Sequence, residues 1–97
     1  MQGNDVLDLL KEHLPEMQQR FHVQDLAVFG SFVRGQAGLD SDVDVLVAFD
    51  GRGTSDRYFG LQFYLEDLLG RPVDLVTDKA VRPELRPFIE EEAVHVR

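Results

Sequence analysis

Ser41-Asp42-Val43-Asp44-Val45-Leu46-Val47-Ala48-Phe49 alternates with the two-residue period of a β-strand. Val43, Val45, Val47 and Phe49 share one face. Asp42 and Asp44 share the other, with Leu46 and Ala48 beside them. Two carboxylates side by side repel each other, and their desolvation near an apolar sheet is costly unless something compensates. A divalent cation is the natural compensation, because hard oxygen ligands suit Mg2+.

Upstream, Leu26-Ala27-Val28-Phe29 reads as a short buried strand that runs straight into Gly30-Ser31. Gly30 allows a sharp turn and a close approach of backbone to ligand. Ser31 can cap the helix that follows, expected over 31–36, and offers a hydroxyl donor. Amides at a helix start suit an anion, most commonly phosphate. A phosphate cradle one strand away from a carboxylate pair points to a nucleoside triphosphate held through its metal and its phosphates. A third acid fits this pattern. Asp74 lies in the expected strand Arg71-Pro72-Val73-Asp74-Leu75-Val76, pointing opposite to Val73 and Leu75. If that strand lies beside the Asp42–Asp44 strand, three carboxylates converge, enough for two Mg2+ ions about 3.5–4 Å apart.

Gly30-Ser31, ten intervening residues, Asp42-x-Asp44 and a later strand with Asp74 resemble the signature of the DNA polymerase beta-type nucleotidyltransferases. The run Gly30-Ser31-Phe32-Val33-Arg34-Gly35-Gln36-Ala37 and the segments Leu69–Thr77 and Glu92–Val96 are more specifically similar to the minimal nucleotidyltransferases. The likeness covers nearly the whole chain; Val33 stands where Ala is more usual. It implies a small mixed β-sheet with helices packed on one side, within an α/β (α+β) domain. It implies Mg2+-dependent transfer of AMP from ATP, with catalytic and metal-binding roles for Asp42, Asp44 and Asp74 and nucleotide contacts from Gly30 and Ser31. It further implies the role of antitoxin in a toxin–antitoxin module. The partner would be a HEPN-type protein toxin, and the acceptor a tyrosine hydroxyl on it. The rival from another class is a non-enzymatic antitoxin or nucleotide-binding subunit that neutralises its partner by contact. For Arg34, two roles stand open: a contact to triphosphate or to the acidic cluster, or a structural ion pair with a local acid.

The chain has 97 residues and 43% hydrophobic composition, which suits one domain over 1–97 with a small core. Its net charge of -8 argues against a nucleic-acid acceptor and fits a neutral or basic protein partner. Absent cysteine excludes disulfides and thiolate metal sites. No apolar run is long enough to span a membrane, so a cytoplasmic location is the default expectation.

Strands alternating with helices predict an α/β or α+β domain. Val6, Leu7, Leu9, Leu10 and Leu14 give a first helix with Asn4 or Asp5 as its expected cap, and Pro15 either interrupts it or begins a second turn through Arg20. Phe21 to Gln24 reads as a connector, and Asp40 with Ser41 as a turn. A helix over 56–69, ended by Gly70, offers Phe59, Phe63, Leu65, Leu68 and Leu69 as core positions. A helical turn is expected at Thr77 or Asp78, a short helix over 87–92, and an edge strand over 94–96. His13, His22 and His95 lack metal-ligand spacing. Glu90-Glu91-Glu92, Arg82 and Arg86 read as solvated surface.

Overall fold

The computed structural model describes residues 3–36, 38 and 41–96. Asp40, expected in the turn before the acidic strand, lies outside them.

The acidic strand forms as β2, Val43–Phe49, and sits inside a four-stranded sheet. Its neighbours are β1 (Val23–Phe29) and β3 (Val73–Thr77), and β4 (Val94–His95) pairs with the far side of β1. The spatial order is β3-β2-β1-β4. β1 is antiparallel to both β2 and β4, whereas β2 and β3 are parallel, so the sheet is mixed. The parallel connection carries a helix, as such crossovers require: α3, Ser55–Leu69.

Helix α1, Gly3–Phe21, packs with α3 against the face that bears Val43, Val45 and Val47. All three valines are fully buried. Helix α1 begins before Asn4 and Asp5, so neither is its cap, and it runs through Pro15 without ending. An internal proline costs a helix about 3 kcal/mol. The stripe of Val6, Leu10, Met17 and Phe21, buried on both sides of Pro15, holds the helix together across it. β1 starts three residues earlier than its apolar run suggests. A register irregularity between Val23 and Asp25 absorbs the polar Gln24 and Asp25.

The core of α3 also differs from expectation. Leu61, Leu65 and Leu69 are buried, at the spacing of one helical face. Phe59 and Phe63 lie on the opposite face, 52% and 63% exposed. Thr54 caps α3 by accepting from the Arg57 amide, and Gly70 closes it in the left-handed conformation, as expected. A 3-10 turn over Asp78–Ala80 and the short helix α4, Arg86–Glu92, complete the chain. Among the described residues no helix is long and apolar enough to cross a membrane.

Candidate active site

Strand register places two of the predicted acids, Asp44 and Asp74, side by side. β2 and β3 run parallel with Asp44 opposite Asp74, and β1 pairs Phe29 with Asp44 from the other side. Paired residues point to the same face of a sheet. Phe29, Asp44 and Asp74 therefore form one row on the face turned away from α1 and α3, with Asp42 just before β2. The strand adjacency expected for Asp74 is present in the ladder, whereas the three acids do not gather into one metal-holding group among the described residues.

Three bonds from α3 position β3. Tyr58 donates its hydroxyl to the Leu75 carbonyl, Gln62 Nε2 donates to the Val73 carbonyl at 3.3 Å, and Glu66 Oε2 accepts the Val73 amide at 3.1 Å. The Val43 amide donates to the Pro72 carbonyl at 3.0 Å, which joins the starts of β2 and β3.

Gly30 follows Phe29 directly and turns the chain with φ +79°. A Cβ at this position would lie 2.0 Å from Asp44 Oδ2, so the backbone is pressed against the carboxylate and only glycine fits. Ser31 opens α2, Ser31–Arg34, as its first helical residue. The cap position belongs to Gly30, which has no side chain, so the expected capping role of Ser31 is not realised. The helix is also shorter than expected, because Gly35 leaves it in the left-handed conformation. In the structure Arg34 makes an ion pair with Glu92.

Glu92 is the residue that the sequence reading missed. It is no solvated helix end: Oε2 accepts the Gly30 amide at 3.0 Å, and Oε1 accepts from Arg34 Nη1. A signal for it exists. β4 pairs Val94 with Val28, antiparallel. Continuing that register by two residues places Glu92 opposite Gly30. The signal is usable only once that pairing is known. Arg86 is likewise engaged, donating to the Asp78 carbonyl and pairing with Glu90.

A cavity of about 630 Å3 opens at the Phe29–Asp44 end of this row, lined among others by Phe29, Gly30, Asp44, Phe88 and Glu92; Ser31, Asp42 and Asp74 are not in its lining. Phe88 stands 71% exposed at its side. Burial pushes the Asp44 carboxyl above its ordinary value, and the charges of Asp74 and Asp42 push it further, against the pull of Arg34. This is the electrostatic demand that a divalent cation satisfies. Among the described residues no three acidic, imidazole or thiol side chains form a ready-made cage. Hard carboxylate oxygens, as at Asp44 and Asp74, are the donor type that Mg2+ takes, with waters and substrate phosphates completing its shell. The donor chemistry fits.

Comparison with known proteins agrees with this geometry. Residues 10–96 match the family model described as a nucleotidyltransferase domain. The chain is 39% identical over 92 residues to the protein adenylyltransferase MntA of Thermococcus cleftensis, covering 95% of this chain and 93% of that protein. A solved structure assigned to the minimal nucleotidyltransferases superposes with a TM-score of 0.82 at 36% identity, covering 97% of this chain and 95% of the other. A solved complex of the tri-AMPylated HEPN toxin of Shewanella oneidensis with MNT antitoxin shares the fold. There the TM-score is 0.67 at 17% identity, over 94% of this chain and 71% of that one. With its glycine turn, its in-register aspartates and these relatives, the chain belongs to the nucleotidyltransferase family, among its minimal members.

Proposed function

We propose that this nucleotidyltransferase moves AMP from ATP to a tyrosine hydroxyl of a HEPN-type toxin and so acts as its antitoxin. The observation that carries the reading is the row of Asp44 and Asp74 in register, with the Gly30 backbone against Asp44. The name of the Thermococcus relative and the AMPylated toxin in the Shewanella complex support the reaction and the acceptor class. The net charge of -8 disfavours a nucleic-acid acceptor and favours a protein one. We place the protein in the cytoplasm as a single domain over 1–97, beside a co-encoded partner.

In this reading Gly30, Ser31 and Arg34 hold the phosphates, and Asp42, Asp44 and Asp74 would hold Mg2+, one ion or two. The metal would supply charge neutralisation on the phosphates and a lowered pKa for the acceptor hydroxyl. The phenolic oxygen attacks the α-phosphorus, the α–β phosphoanhydride bond breaks, and pyrophosphate leaves with the electron pair. Asp74, exposed at the edge of the row, takes the phenolic proton. The confined backbone at Gly30 fixes where the Asp44 carboxylate stands relative to the phosphates.

The test is incubation with labelled ATP, Mg2+ and the co-encoded protein, followed by mass spectrometry. The expected result is partner tyrosine carrying AMP, with toxicity falling as modification accumulates. Equal neutralisation by wild type and Asp44→Asn would favour masking by contact. Transfer to RNA or to a small molecule would refute the acceptor.

A further inference from the structure

The Gly30 amide and the Arg34 guanidinium converge on one carboxylate. Two donors, one backbone and one cationic, gripping two oxygens of one anion is how proteins recognise phosphate as well as carboxylate. The anion here comes from the chain itself, 62 residues beyond Gly30. Its placement is electrostatically adverse for the rest of the site, since Glu92 adds a negative charge to the surroundings of Asp44. Glu92 thus does to the cradle what a phosphate oxygen would do.

We propose that Glu92 is a built-in stand-in for phosphate. In the free protein it covers the Gly30 amide and the Arg34 guanidinium; when a triphosphate enters, Glu92 gives way and the phosphate takes both donors. The inference rests on the nucleotide reading above. Little movement is required, because the Glu92 side chain is already 24% exposed and borders the open cavity. A change of rotamer clears the position while α4 and β4 stay in place. The exchange keeps the amide and the guanidinium partnered in both states, so the free protein never leaves them bare. It also sets a threshold: only an anion that outcompetes the carboxylate is admitted, which favours a polyphosphate over a singly charged ligand.

The consequence is contrary to an ordinary site residue: removing the carboxylate charge should tighten nucleotide binding. The experiment titrates 15N-labelled wild type and Glu92→Gln with ATP and Mg2+, following the Gly30 amide and the Arg34 Nη1 protons, the two donors that bond Glu92. Gln keeps an acceptor for Gly30 but frees Arg34 from its ion pair. The expected result is binding about two- to fivefold tighter in the variant, the size of a partly exposed ion pair. Glu84→Gln removes the same charge from an exposed position and should bind as wild type does. In wild type alone, the Gly30 and Arg34 signals should both move as ATP saturates, which holds even if the variant folds poorly. Equal or weaker binding by Glu92→Gln overturns the proposal, as do Gly30 and Arg34 signals that stay still in saturated wild type. In both cases ATP binding by wild type leaves the nucleotide reading intact. Binding by neither protein overturns that reading and this proposal with it.

Discussion

One strand serves two purposes in this protein. The Val43, Val45 and Val47 face of β2 is sealed by α1 and α3, whereas the Asp44, Leu46 and Ala48 face is only partly covered. The first face concentrates apolar contact and the second concentrates like charge. Apolar burial supplies most of the free energy of folding, so the helix side carries stability. The acid row subtracts from stability through repulsion and desolvation, and in the proposed function it carries the chemistry. Activity and stability should therefore separate cleanly between the two faces.

The largest separation is expected from Asp44→Asn. Transfer should fall about 10^3-fold, about 4 kcal/mol in the barrier. Stability without ligand should hold level or rise, because one of several crowded charges is gone. Rate measurement beside a denaturant melt tests both halves, and an unfolded variant would show that the acid row is structural after all. Leu65→Ala on the helix side should do the reverse. It should cost about 2–5 kcal/mol of stability, on the order of 10–30 °C in Tm, with the activity per folded molecule retained. Loss of catalysis out of proportion to unfolding would break the division between the faces.

The pH dependence sharpens the comparison inside the site itself. Asp44 is pushed up by burial and by its acidic neighbours. Its contribution to stability is complete below the unfolded carboxyl value and is lost as pH rises through the higher folded value. Glu92 is held down by the Gly30 amide and then by Arg34. Its contribution is complete above the unfolded value and is lost as pH falls through the lower folded one. Denaturation of three proteins between about pH 3 and 7 should resolve the two signs. Asp44→Asn should gain on wild type as pH rises, and Glu92→Gln should fall behind it. Slopes of the same sign would mean that the two carboxylates do not differ as described. The smallest effect belongs to Phe63→Ser, on the exposed face of α3. Despite the size of the side chain it should shift stability by no more than about 0.5 kcal/mol, in contrast to its neighbour Leu65. A loss above 2 kcal/mol would place Phe63 in a packed environment that its exposure denies.

That pair of neighbours shows where sequence reading stopped. α3 carries apolar residues on more than one side, so periodicity alone offers two stripes, one through Phe59 and Phe63 and one through Leu61, Leu65 and Leu69. Which stripe turns inward depends on how the helix rolls against the sheet. Pro15 misled for a related reason: its local cost is real, but the buried residues on both sides of it outweigh that cost. By contrast, the β2 strand, the Gly30 turn and the Gly70 stop were legible. Each depends on a local rule, alternation or left-handed backbone, that the residues themselves obey.

The sequence by itself determined that Asp44 would share a strand with buried valines yet point away from them, because a two-residue period leaves no other choice. It also determined that a glycine turn would precede the acids. Only the tertiary structure decided that Asp74 stands in register with Asp44, that the Gly30 backbone touches the Asp44 carboxylate, and that Glu92 fills the cradle. Those relations join segments far apart along the chain. They are set by strand pairing and by the docking of α3 on β3, where many long-range contacts compete and no single stretch of residues contains the outcome.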